Sequence, residues 1–413
     1  MVTKYDIFEI VYKNRAPIKP IEVVKKLNKD EKEYHVIHRY LRELVKDNLI
    51  ANKNQGFQVE INKESELLYL LIYYCLRNGI NYNDIIDKNF AEFISFSLQK
   101  EEINSKNINL NPRTLKKYIR ILNRYGMILI ISEKPLRAKI FYNILLNNLL
   151  VYFGYKHSVI TESKISYIVE IQKELEIFKK LKKKNESTYN RIINEFEISF
   201  IYHSLSLEGN PITLPDTIKI LKDKIIPANL RSIDVDEVKN YQEAMLLMLK
   251  DANDNKPLSI QNVLDYHRIA MRHESHLAGN IRIIDVFIKG NKNFKVSNPE
   301  KIKDKLERLF KEYNQFIKKN KVSLTELLSF ASYFHNEFQH IHPFEDGNSR
   351  TTRLITFHLL QSKDIPIFDI PFGLLDEYMS FTKSSKKRED QSLYLCLQKI
   401  ILYNLKKINE RLK

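Results

Sequence analysis

The sequence predicts a mainly α-helical protein preceded by two winged helix-turn-helix-like units. Three observations carry this. Only 9 of 413 residues are glycine, while Leu, Ile, Lys and Glu abound, a composition that favours helices. From residue 190 onward, apolar residues recur at helical spacing with one interruption. Upstream, strand-like runs are short and come in pairs after helical segments, at 49–51 with 57–59 and at 127–132 with 138–142. A chain of this length is expected to hold roughly two to four domains.

Residues 1–62 read as helix, helix, helix and hairpin. Tyr5, Ile7, Phe8, Ile10 and Val11 make the first apolar face. The second helix, 20–27, carries Pro20 in its first turn, where a missing N–H costs nothing. Val36, Ile37, Tyr40, Leu41, Leu44 and Val45 set the third helix over 34–49. A strand, a polar turn at 52–56 and a second strand follow. This is the order of a winged helix-turn-helix, whose third helix enters the major groove. His35, His38, Arg39 and Arg42 are placed on its outer face, either to contact DNA or to solvate a protein-docking unit.

Residues 63–145 repeat the plan at greater length. An apolar helix at 67–76 precedes a helix at 112–125, which Gly126 ends, and strands at 127–132 and 138–142 complete the unit. Between Asn111 and Ile140 there are eight basic residues and one acid, with Arg113, Lys116, Lys117 and Arg120 on the helix. Such clustering is the electrostatic footprint of a nucleic-acid binder. On the other reading, the long stems simply shield apolar surface. Residues 146–188 read as a helical linker that is amphipathic over 165–181 and closes on three lysines.

Residues 189–410 form the helical domain. Helical spacing marks 189–207, 236–249, 260–271, 299–318, 324–339, 348–360 and 391–409. The interruption is 281–288 with 294–296, which flank Gly290-Asn291 and predict a β-hairpin.

The 67 basic and 51 acidic residues leave a net charge of +16, which suits an anionic partner or plain solubility. Cys75 and Cys396 stand far apart, so neither a disulfide framework nor a CxxC metal site is expected. No uncharged run is long enough to span a bilayer, and Lys4, Asp6 and Glu9 interrupt any signal-like segment. A cytoplasmic protein without a membrane partner is therefore expected. His267, His273 and His276, like His335, His340 and His342, lack the spacing of a three-ligand zinc set. His267 and His335 read as core histidines in apolar helices.

The chemistry concentrates in His-Pro-Phe-Glu-Asp-Gly-Asn-Ser-Arg-Thr-Thr-Arg at 342–353. Pro343 stops the preceding helix, and Gly347 permits a turn closed to other residues. A new helix begins near Asn348, and its unpaired N–H groups make an anion site. Arg350 and Arg353, three apart, share one face. Asp346 stands where it can hold Mg²⁺ against phosphates, and His342 can take a proton from a hydroxyl.

The full string resembles the signature of the Fic family, His-Pro-Phe-x-(Asp/Glu)-Gly-Asn-Gly-Arg-x-x-Arg. Eight of its nine specified positions match, and Ser349 departs. Ser204-Leu-Ser-Leu-Glu208-Gly209-Asn210 resembles the family's inhibitory motif, (Ser/Thr)-x-x-x-Glu-(Gly/Asn), in the subclass that carries it N-terminal to the core. Read alone, Glu208-Gly209 is a helix-terminal acid and its capping glycine. Ala278-Gly279-Asn280-Ile281-Arg282 and the hairpin after it resemble the family's flap. The likeness spans about 190–400.

The resemblance implies a helical core that moves a nucleoside monophosphate, usually AMP from ATP, onto a hydroxyl side chain of a protein. It implies His342 as the base for a Tyr, Thr or Ser hydroxyl and Asp346 as the Mg²⁺ ligand. Gly347, Asn348 and Ser349 would line the anion hole, with Arg350 and Arg353 on the β- and γ-phosphates. The flap residues Ile281, Arg282, Ile283, Ile284, Asp285, Val286, Phe287 and Ile288 would dock the target by main-chain pairing. Glu208, with Ser204 and Gly209, would pair with Arg353 and deny the γ-phosphate its arginine, since an arginine bound to a carboxylate cannot also serve a phosphate. If position 349 needs φ > 0, Ser349 costs about 1–2 kcal/mol; as an early helix residue it fits. Two other readings stand beside this one: a DNA-binding regulator whose core senses nucleotide, and removal of AMP in the same site. The partners expected are a hydroxyl-bearing protein, DNA through the winged units, and a second copy of the chain as a homodimer.

Overall fold

The computed structural model describes residues 2–413 except Arg15, Gln55, Ser105, 156–164, Lys289, Gly290, Ile367, Phe368 and Lys386. The chain forms two compact units. One gathers 1–100, 113–121 and 144–160; the other gathers 101–112, 122–143 and 161–413.

In the first unit the expected order of elements is present. Thr3 and Asp6 form a capping box that starts helix Lys4–Lys13. Helices Pro20–Lys26 and Tyr34–Lys46 follow. Strands Ile50–Lys53 and Gly56–Val59 pair antiparallel with Ile50 opposite Val59, and Ile18 bridges to Phe57. Gly56 is required here: a Cβ would stand 2.6 Å from the Ile18 carbonyl oxygen. Ile7, Phe8, Val11, Val23, Ile37, Leu41 and Leu44 are fully buried, as the helical spacing of apolar residues dictates. Arg39 and Arg42 are exposed. His38 departs from the expected outer face, because its ring stacks on Tyr34 and meets the edge of Phe57.

Helix Lys63–Arg77 matches expectation, whereas Lys88–Ser97 and Ile144–Tyr152 were not foreseen. The latter is apolar nearly all round, so it lacks the one-sided pattern that marks a helix in sequence. Asp87 initiates the former by accepting the Phe90 N–H. Arg113, Lys116, Lys117 and Arg120 all lie exposed on helix Pro112–Arg124.

The second unit holds a three-stranded antiparallel sheet in the order Ile103–Asn104, Leu136–Ile140, Ile128–Glu133. Its other regular elements are helices. The last helix, Asp390–Leu412, packs on Ile168–Lys184 and Leu324–Ile341. Helix Asn348–Gln361 touches Leu324–Ile341, Ser232–Asn253 and Ile260–Ala270, and every residue from Asn348 to Leu360 is buried. Its arginine pair therefore does not decorate a surface face.

The expected hairpin over 281–296 is corrected. None of its described residues forms a strand, and its turn at Gly290 lies outside the described residues. The segment's ends pair with the last turn of helix Leu324–Ile341 and the loop after it instead of with each other. The Arg282 N–H donates to the Pro343 carbonyl at 2.9 Å, and the Ser297 N–H to the His340 carbonyl at 2.9 Å.

Candidate active site

Helix Leu324–Ile341 delivers the chain to His342, which caps it in the left-handed region at φ 49°. A non-glycine residue held there needs external support. Its N–H donates to the Phe338 carbonyl at 3.0 Å, and its own carbonyl accepts from Arg282 Nε at 2.7 Å. The imidazole Nδ1 faces the Gln339 carbonyl oxygen at 3.1 Å. A carbonyl only accepts, so Nδ1 carries the proton and Nε2 keeps its lone pair. Burial, helped by the positive charges of Arg282 and Lys383, pushes the pKa of His342 down to about 4. The ring is neutral at pH 7 and ready to accept a proton.

Two side chains shape the loop that follows. Asn348 accepts the Phe344 N–H at 2.9 Å and donates to the Phe344 carbonyl at 2.7 Å. Phe344 stacks on His267 with ring centroids 3.6 Å apart. His267 Nε2–H donates to the Asp346 carbonyl, and its Nδ1 accepts the Gly279 N–H, both at 2.9 Å. His267 is thus a pin between two loops, a role its apolar helix does not reveal in sequence. Gly347 sits at φ 79°, where a Cβ would stand 2.9 Å from both His267 Nε2 and Met271 Sδ. Ser349 is the second residue of the buried helix and is not in the left-handed region, so its side chain brings no backbone strain.

Both arginines are buried and both meet carboxylates. Arg350 Nη2 donates to Asp346 Oδ2 at 2.7 Å, and Nη1 pairs with Glu237. Its buried Nε has no hydrogen-bond partner among the described residues. Arg353 donates from Nε to Ser204 Oγ at 2.6 Å, and from Nη2 to the Ser204 carbonyl and to Glu208 Oε1, each at 3.0 Å. The other oxygen of Glu208 accepts from Lys383 Nζ at 2.7 Å. Burial alone would raise the pKa of Glu208, but the charges of Arg353 and Lys383 overcome it and hold the group at about 2. Ser204 Oγ donates to the Tyr241 hydroxyl, which donates to the Arg350 carbonyl. Gly209, at φ 98°, turns the chain immediately after Glu208.

The residues expected in the 342–353 loop lie beside Glu208 and Ser204, and one expectation is corrected. Arg282 was counted with the docking segment, but it points inward, is 2% exposed and donates to the carbonyls of His342, Ile284 and Ser297. Its neighbours Ile283 and Phe287 are 87% and 86% exposed. Glu237, Tyr241 and Lys383 join the site unannounced, since an acid on a mixed helix and a lysine in a lysine-rich tail carry no local signal. Glu208, Asp234, Glu237, His273, Asp346 and Arg350 line an open cleft of about 340 Å³.

Residues 257–360 match the Fic/DOC family. The match contains the 342–353 loop and its helix; Glu208 lies upstream of it. Among relatives of this Fic-like core, the protein adenylyltransferase Fic of Drosophila persimilis is 29% identical over 201 residues, 48% of this chain and 38% of that protein. The protein of the same name from Nematostella vectensis is 28% identical over 193 residues, 46% of this chain and 44% of its own length. The chain thus spans less than half the length of these curated relatives. A Fic-domain-containing signaling protein from Bacteroides thetaiotaomicron aligns at TM-score 0.51 with 21% identity, covering 60% of this chain and 98% of that one. At that identity the likeness speaks to the fold.

Proposed function

We propose that the chain is a Mg²⁺-dependent protein adenylyltransferase held inactive by Glu208. The observation that carries this is the junction at Arg353, where a buried carboxylate occupies the guanidinium that a nucleotide phosphate needs. The target hydroxyl oxygen attacks the α-phosphorus of ATP, its proton passes to His342 Nε2, and the bond to the β-phosphate breaks with loss of pyrophosphate. Neutral His342, with Nδ1 tied to Gln339, suits the role of base. The unpaired Nε of Arg350 and the N–H groups at the start of the buried helix suit an incoming anion. Mg²⁺ is commonly held by one or two carboxylates together with phosphates and water. Asp346, whose side chain is 58% exposed, supplies the carboxylate, and the ion would neutralise phosphate charge. The test is transfer of labelled AMP by a Glu208→Gly chain and its loss in Glu208→Gly/His342→Ala. Equal labelling by both sinks the assignment of His342.

A second reading concerns the first unit, which we propose binds DNA. Its support is the joint exposure of Arg39, Arg42, Arg113, Lys116, Lys117 and Arg120. Titration of a DNA duplex at low and moderate salt should show affinity falling steeply with salt, and Lys116→Glu/Arg120→Glu should weaken it. Absence of salt-dependent binding would leave these residues as solvation.

A further inference from the structure

Glu208 does more than cover Arg353. Its carboxylate bridges two cations that come from different parts of the fold. Arg353 lies on the central buried helix. Lys383 lies in the turn after helix Leu375–Ser380. Each takes one oxygen, at 3.0 and 2.7 Å. A bidentate anion that joins two cations stands where a phosphate can bridge the same two.

Lys383 is also held in place. The side-chain amide of Asn291 donates to the carbonyl of Lys383 at 3.0 Å and to that of Ser385 at 2.6 Å. Asn291 belongs to the segment that ends at Ser297, whose N–H is tied to the carbonyl of His340, two residues before the base. The lysine's backbone is thus anchored to the strap that flanks His342, and its ammonium acts on the His342 ring as a positive charge. The side chain keeps 24% exposure, so Lys383 is less enclosed than Arg353, whose side chain is 1% exposed.

We propose that Lys383 is a third cationic ligand for the nucleotide polyphosphate, screened by Glu208 in the closed state. This rests on the adenylyltransferase reading. With Glu208 withdrawn, Arg353 and Lys383 face one another across the space the carboxylate held, and of the two it is Lys383 whose charge acts on the His342 ring. It contributes charge to bound phosphate oxygens; it makes and breaks no bond.

The test uses the full chain in the Glu208→Gly background, with Lys383→Met and Lys383→Arg added singly, and titration calorimetry with Mg-ATP and with adenosine. A charge-assisted contact predicts that Lys383→Met weakens Mg-ATP binding about 10- to 100-fold while adenosine binding stays unchanged. Lys383→Arg should recover most of the loss. Removing the ammonium should also move the acid limb of the transfer rate upward in pH, because a charge that opposes His342 protonation is gone. Mg-ATP affinity within twofold of the parent, at equal thermal stability, overturns the proposal while the parent's own AMP transfer leaves the adenylyltransferase reading standing. A Glu208→Gly parent that binds no Mg-ATP overturns both.

Discussion

Replacing Glu208 by glycine should switch the protein on, and the geometry sets the scale. The group's pKa falls from an ordinary 4.5 to about 2 because Arg353 and Lys383 outweigh the burial penalty. At 13% side-chain exposure, little of that is lost to solvent screening. The shift corresponds to about 3 kcal/mol favouring the charged over the neutral carboxylate at this place; taken as the scale of the latch, it leaves on the order of one chain in a hundred open. Removing the carboxylate should therefore raise the initial rate of AMP transfer roughly a hundredfold at saturating Mg-ATP. Glu208→Gln keeps the shape but loses the charge, and should fall between. The pH dependence follows from the sign of the shift. Because the folded pKa lies below the unfolded one, the stabilisation is fully present above about pH 5 and is lost as pH falls through 2. Wild type should accordingly show no activating limb between about pH 5 and 9. The assay is initial-rate transfer of labelled AMP for wild type, Glu208→Gly and Glu208→Gln across that range. A Glu208→Gly rate within threefold of wild type, with unchanged Mg-ATP affinity, would refute the reasoning.

In the Glu208→Gly background, the transfer rate should lose its His342-dependent limb near pH 4 rather than near 6.5, since the buried ring stays neutral down to that value; a pH–rate profile checks this. The same depression makes His342 and His267 stabilising above their unfolded pKa, a contribution lost as pH falls from about 6.5 to 4, so the melting temperature should drop across that window. Gly347→Ala should cost about 1–3 kcal/mol, because its φ and its contacts with His267 and Met271 both oppose a side chain; denaturant unfolding measures it, and little change would show that the loop relaxes freely. Arg282→Ala removes donors from three backbone carbonyls and should destabilise by about 3 kcal/mol or more. Arg282→Lys should rescue poorly, for lack of the planar fork, as thermal melts of the two variants would report.

Much of the helical architecture was legible because it is local. Tyr34–Lys46 and Pro112–Arg124 show one apolar face each, and spacing alone reveals such helices. Ile144–Tyr152 shows no such face, so spacing does not reveal it. The segment after Ile281 carries an apolar, extended pattern, but a ladder needs a partner strand, and the carbonyls of Pro343 and His340 took its N–H groups instead. Arg282 looked like one more residue of that segment until its three carbonyl partners turned it inward.

The resemblance to the Fic family nominated Glu208 and its opponent Arg353, while the sequence by itself determined the string from His342 to Arg353, its glycine turn and the helix after it. These are matters of residue type and short spacing, which the chain writes directly. The tertiary structure decided which charges meet. Arg353 and Glu208 are 145 residues apart, Lys383 and Glu208 are 175, and Arg350 and Glu237 are 113. An ion pair forms only when two groups come within about 4 Å, and over such separations that distance is set by how the helices pack, not by any pattern along the chain.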